Sequence, residues 1–218
     1  MKRERLRPAL SLVSHLLIFV IVCICTLGLL GFPERPDFSP RYEIFRYYTT
    51  LSNVFAGLLA VPMAASAVRT LTGKKKRIPK VLSLLRFVSV SALTLTMMTV
   101  FCFLGPMFGY APMFAGANFW FHLIVPVLAV LSFLFMEPGA DFPRKNPVPG
   151  IVQTILYGSV YVPMVLSGRW PDFYGFNIGG RWYVSLAAML AANLLFARLL
   201  LLGREKASEK FRSGRSAD

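Results

Sequence analysis

The chain has 218 residues, of which 56% are hydrophobic and only 16% charged, with a mean hydropathy of +0.58 and a net charge of +14. Soluble domains carry about a quarter charged residues and cannot hide this much apolar side chain. That excludes soluble enzyme folds, disordered chains and disulfide scaffolds. Charge-free stretches of 26 residues (Arg7 to Glu34), 22 (Arg46 to Arg69), 50 (Arg86 to Glu137) and 23 (Lys145 to Arg169) interrupt the sequence. A helix crossing the hydrocarbon core needs about 20 such residues, so the longest stretch holds two crossings and a turn.

The first apolar run follows Lys2, Arg3, Arg5 and Arg7 as a secretory signal would. Ala9 to Gly31 exceeds a signal's apolar region of about 7–15 residues, and no small-residue cleavage site follows, so it reads as a retained span. Gly, Pro and charge then divide the chain into six spans, at about 9–31, 47–68, 87–108, 118–136, 151–167 and 182–202. A polar, basic tail, 203–218, is expected to fray. The fold class is all-α, a six-transmembrane-helix bundle.

The 24 basic residues sort by side. The N-terminus, the 69–86 and 137–150 loops and the segment from Arg198 hold 19 of them against six acids; the opposite side holds five against four. The positive-inside rule therefore predicts both termini in the cytoplasm and a multi-pass protein of the cell membrane. Topology accounts for the excess charge, leaving nothing to suggest a nucleic-acid partner, and membrane lipids are the expected surroundings. The Lys74-Lys75-Lys76-Arg77 cluster is read as a topology determinant before a lipid-headgroup site. Cys23, Cys25 and Cys102 lie in apolar runs and imply neither disulfides nor a metal site. Ala56, Ala60 and Ala64, with Ala187, Ala188, Ala191 and Ala192, form small-residue ridges suited to helix packing.

No Asp, Glu or Lys falls inside the spans so drawn. His15 and His122 stand near opposite membrane faces, which argues against a bis-histidine haem; His15 is read as bonded to a neighbouring helix. Thr49 and Thr50 lie three to four residues into the second span and His122 four residues into the fourth, at one depth. Asn53 follows Thr50 by three, Asn118 precedes His122 by four, and Pro126 follows His122 by four, where it frees the His122 carbonyl. A hydroxyl beside a neutral imidazole is the minimum apparatus for acyl transfer, with an amide to hold the oxyanion. The bland reading stands beside it: membrane Thr hydroxyls often bond their own preceding turn, and a lone His often joins two helices.

Tyr48-Thr49-Thr50-Leu51-Ser52-Asn53 resembles the Tyr-x-Thr-x-x-Asn segment of the androgen-induced and androgen-dependent family of membrane hydrolases, and His122-Leu-Ile-Val-Pro126 resembles that family's His-x-x-x-Pro. The arrangement is also similar to a group of bacterial six-span membrane proteins, down to the aromatic loop Ser167-Gly168-Arg169-Trp170-Pro171-Asp172-Phe173-Tyr174. The resemblance implies a Thr nucleophile and a His base that hydrolyse fatty acid esters of hydroxy fatty acids. Counting back three from Asn53 puts the nucleophile on Thr50; the bacterial pattern, counting back four, puts it on Thr49. Only one can face His122, because adjacent helical residues point about 100° apart.

The expected function is thus an intramembrane lipid-ester hydrolase. Thr50 attacks, His122 is the base, Asn53 is the oxyanion donor, and Thr49 and Asn118 line the pocket. The 168–174 loop is the lid, and Asp172 is a conceivable partner to orient the imidazole. No cofactor or metal is required. The rival expectation is a non-catalytic multi-pass protein that binds or transports a lipid or small solute.

Overall fold

The computed structural model describes residues 2–32, 41–74, 77–137 and 146–213, with side chains from Arg5 to Glu209. The middle of the Lys74–Arg77 cluster, most of the first and fourth loops and the last five residues lie outside it. Among the described residues there is no strand. Six apolar helices are long enough to cross a membrane: α1 (Lys2–Leu30), α2 (Tyr48–Leu71), α3 (Lys80–Phe108), α4 (Ala117–Met136), α5 (Val148–Leu166) and α6 (Trp182–Ser213). A helix satisfies its backbone internally, which hydrocarbon surroundings demand.

α3 is the central helix. It is the most buried of the six and packs against α2, α4, α5 and α6. Its buried face carries Ser83, Ser89 and Ser91 among Phe87, Val90 and Leu93, and small side chains let neighbours come close. A Cβ on Gly150 would stand 2.6 Å from Ala197 Cβ and 2.8 Å from Ser91 Oγ, so a side chain there would wedge α3, α5 and α6 apart. α1 and α2 make the most extensive pair. Ala56 and Ala60 are 1% exposed at their seam, and a Cβ on Gly57 would stand 2.7 Å from Val22. Of the α6 alanines, Ala187, Ala188 and Ala191 are exposed and Ala192 packs against the core.

Two boundaries differ from expectation. α3 begins at Lys80, seven residues before the charge-free run, and α6 continues as helix to Ser213 instead of fraying after 202. One ionic cluster draws on both extensions. Glu137, expected in a loop, is fully buried where α4 ends. Its Oε1 accepts from Arg86 Nε at 2.9 Å and from Ser132 Oγ at 3.0 Å, and stands 3.4 Å from His15 Nε2. Arg204 donates to the Glu137 carbonyl and lies 5.0 Å over the Phe133 ring. The second Arg86 nitrogen donates to Ala129 O at 3.0 Å. So α1, α3, α4 and α6 meet on one residue, Glu137, through its carboxylate and its main-chain carbonyl, and the helices carrying Arg86 and Arg204 must extend far enough to reach it. Burial alone would raise the Glu137 pKa; Arg86, His15 and Arg204 more than reverse this and hold it well below the usual carboxylate range.

Removing one partner of such a cluster leaves buried charge uncompensated, at about 3–5 kcal/mol. Glu137→Leu is therefore expected to lower the thermal midpoint of the detergent-solubilised protein by many degrees, more than Glu43→Leu on the opposite end, as read by intrinsic fluorescence. Because the folded carboxyl pKa is depressed, its stabilisation is complete above the ordinary carboxylate range and fades as pH falls below it. Glu137→Gln should remove that acid-side loss from a midpoint-versus-pH curve.

Candidate active site

A shared local device shapes the site. Near the ends of α3 and α4 that face away from the termini, each helix makes one π-helical turn, Val100–Leu104 and Trp120–Ile124, just ahead of a proline. In α3 the Gly105 N–H reaches back five residues to Val100 O; in α4 the Val125 N–H does the same to Trp120 O. In that register the next carbonyls, Phe101 and Phe121, would be served by residues 106 and 126. Both are proline and have no N–H. Each orphan carbonyl takes a side chain instead: Tyr110 Oη donates to Phe101 O at 2.9 Å, and Asn53 Nδ2 donates to Phe121 O at 3.1 Å. The carbonyl left by Pro126 is thus that of Phe121, one residue before the expected His122, because the π turn shifts the register by one.

Asn53 is fully buried, and its Nδ2 also donates to Thr49 O at 2.8 Å. Both amide protons are spent, so Asn53 is not available as an oxyanion donor. It is a clasp that holds the Thr49 turn of α2 against the His122 turn of α4. Ser52 adds a second tie, from Oγ to Thr49 O at 3.1 Å and to Thr96 Oγ1 on α3 at 3.0 Å.

The hydroxyl thereby brought to the imidazole is that of Thr49, with Oγ1 3.4 Å from His122 Nε2. The expected Thr50 is buried at 4% exposure, and among the described residues its hydroxyl bonds to no side chain. Turning by about 100° per residue separates the two faces. His122 is 6% exposed, and its Nδ1 lies 2.6 Å from Met113 O. A carbonyl only accepts, so Nδ1 carries the proton and Nε2 presents a lone pair to the Thr49 hydroxyl. The orienting partner is this backbone carbonyl and not Asp172. That carboxylate is engaged elsewhere, accepting from Tyr161 Oη and Phe176 N through Oδ1 at 2.7 and 2.9 Å and from Asn177 N through Oδ2 at 2.7 Å.

Met113 reaches His122 because the 109–116 connection folds back over the start of α4. Gly109 and Gly116 bound it with φ of 87° and 53°, values that only glycine adopts without strain. Asn118 Nδ2 donates to Pro112 O at 3.1 Å and pins the turn. Asn118 therefore positions the carbonyl that sets the tautomer, and its amide is not turned to the hydroxyl.

The loop after α5 packs over the start of α2. Tyr174 Oη accepts from Tyr48 N at 2.8 Å, and the Tyr47 and Phe173 rings lie 4.6 Å apart. Burial pushes the Tyr174 phenol up to about 12, so it stays a neutral cap. Leu51 N is the first of α2 to find a backbone acceptor, Tyr47 O at 3.2 Å. The N–H groups of Thr49 and Thr50 have no backbone acceptor among the described residues, beside the positive end of the helix dipole. Among the described residues no three His, Cys, Asp or Glu side chains gather as a metal-holding group. Comparisons with protein-family models, curated proteins and solved structures return no match.

Two signals in the sequence pointed to these partners: the pairing of Phe101 with Pro106 and Phe121 with Pro126 at a spacing of five, and glycines on both sides of Met113. In bilayers, nitrogen-15 NMR of histidine-labelled protein should show His122 as the Nδ1–H tautomer at neutral pH. Asn118→Ala should shift that population towards Nε2–H while leaving the His15 signal in place.

Proposed function

We propose that the Thr49–His122 pair cleaves a lipidic ester by acyl transfer. The observation that carries this reading is the hydroxyl 3.4 Å from an imidazole nitrogen whose lone pair is aimed by a carbonyl on the other ring nitrogen. The resemblance of the Tyr48–Asn53 and His122–Pro126 segments to the androgen-induced hydrolases adds to it and supplies the substrate class. Thr49 takes the place there that the eukaryotic spacing would give Thr50.

In the first step Thr49 Oγ1 attacks the ester carbonyl carbon while its proton passes to His122 Nε2. The tetrahedral intermediate's oxyanion meets the N–H of Thr50 at the N-terminus of α2, which replaces the occupied Asn53 amide; the Thr49 N–H already lies against Tyr174 Oη. Collapse expels the alkoxide, which takes the proton from the imidazolium, and leaves an acyl-Thr49. A water then attacks, giving its proton to Nε2; the acid departs, and the proton returns to Thr49. Met113 O holds the Nδ1 proton throughout and steadies the imidazolium. The chemistry sits at the end of the bundle opposite the termini. With the basic segments in the cytoplasm, that end is the outer leaflet of the cell membrane, and the ester enters sideways from the bilayer.

The test is a mass-spectrometric screen of lipid esters, including acyl esters of hydroxy fatty acids, on protein in liposomes. Thr49→Ala and His122→Ala are each expected to lower hydrolysis at least about 100-fold. Thr50→Val should stay within about threefold of wild type. Loss in Thr50→Val with retention in Thr49→Ala would return the nucleophile to Thr50. Full activity in both Thr49→Ala and His122→Ala would end the catalytic reading and leave a binding protein.

A further inference from the structure

A cavity of about 50 Å³, extending to about 550 Å³ when its open mouth is included, lies between α3, α5 and α6 under the 170–176 loop. It is separate from the Thr49–His122 contact, and the Tyr48 side chain forms the wall between them.

The tyrosine and threonine hydroxyls of this wall are engaged by other protein atoms, Thr99 Oγ1 only at 4.0 Å from Met189 Sδ. Tyr48 Oη and Thr154 Oγ1 are 2.9 Å apart, and Asn193 Nδ2 donates to the same Thr154 oxygen at 2.6 Å. Tyr157 Oη donates to Arg46 O at 2.7 Å, Tyr161 Oη to Asp172 Oδ1 at 2.7 Å, and Tyr174 Oη accepts from Tyr48 N. What faces the void is carbon and sulfur: Leu95, Val162, Leu186, Met189 and the flat faces of the tyrosines. A buried water needs two to four polar partners, and this wall turns almost only carbon and sulfur to the void. Gly158 contributes no side chain; a Cβ there would already come within 3.1 Å of Leu186 Cδ1.

We infer that this cavity is a binding site for a single alkyl chain. A dry, carbon-lined void beside hydrocarbon gains dispersion contacts only by taking up a chain segment. The site goes beyond the hydrolytic reading and does not require it, since its wall includes neither Thr49 nor His122. The chain belongs to a free fatty acid, a fatty ester or a bilayer phospholipid, which share this chemistry.

Two probes distinguish the sources in proteoliposomes: a fatty acid and a phosphatidylcholine, each with a diazirine midway along its alkyl chain. After photolysis, peptide mapping should place adducts on Met189, Leu186 and Tyr157 in addition to the lipid-facing Leu156 and Leu195. Leu186→Trp, which fills the void, should reduce adducts on Met189 and Tyr157 at least fivefold while those on Leu156 and Leu195 stay constant. Met189→Phe serves as a second filling variant should Leu186→Trp fail to fold. Labelling by the fatty acid alone assigns the site to a free acid or its ester; labelling by the phosphatidylcholine assigns it to a bilayer chain. Thr49→Ala should label as wild type does, so a failed hydrolysis assay leaves this result standing. Adducts confined to lipid-facing positions, or undiminished in both filling variants, would overturn the inference.

Discussion

Every main-chain N–H and C=O within hydrocarbon must find a partner inside the protein, and the structure turns on how that demand is met where two helices break register. Pro106 and Pro126 each follow a π turn and orphan a carbonyl five residues back. The partner chosen for Phe121 O is Asn53, from a different helix. One side-chain amide thereby fixes α2 against α4, and the same amide grips the carbonyl of Thr49. The approach of the Thr49 hydroxyl to His122 follows from a backbone debt being settled across the seam. π turns recur at functional sites for a related reason: they aim one residue differently from the helix around it.

The bundle carries a polar network at each end. At the end bearing the termini, Glu137 gathers His15, Arg86 and Arg204. At the other, Thr49, His122, Asn53 and Ser52 form a neutral network. The 15 residues from His122 to Glu137 span about 22 Å of helix rise, most of the hydrocarbon thickness. α4 supplies a member to each network, and Phe121, Val125, Ala129 and Phe133 pack the apolar stretch between them. The ionic end couples four helices through charges too costly to leave unpaired, so it acts as a rigid base. The Thr49–His122 end is held by neutral bonds to loop and first-turn atoms, where small movements cost less.

The tyrosines do two jobs with one side chain. Tyr157, Tyr161 and Tyr174 direct their hydroxyls to the loops and the start of α2, Tyr48 directs its own to Thr154 on α5, and all four present ring faces to the cavity. Their rings also pack edge-on and stacked on one another, with centroids 5.2–6.4 Å apart. A polar rim and an apolar void thus come from the same residues. Tyr48 joins the two regions, because it lines the void and immediately precedes Thr49 in the chain.

By itself the sequence determined the number of crossings, the helical class and the depth at which a hydroxyl and His122 share a level. Hydropathy, proline and charge act locally and can be read along the chain. The tertiary structure decided which of two adjacent threonines faces the imidazole, because a π turn rotates the partner helix by an amount no spacing rule contains. It also decided that the Asn53 amide is consumed, since its acceptor is a carbonyl exposed only by that turn. Met113 donates nothing but a backbone oxygen, which is invisible in a residue type. Glu137 lay outside the apolar runs, and reading charge as solvent-seeking put it in a loop; three basic side chains from distant positions made burial possible. Local chemistry sets where a helix runs, but the partner of a buried polar atom depends on which chain segments meet.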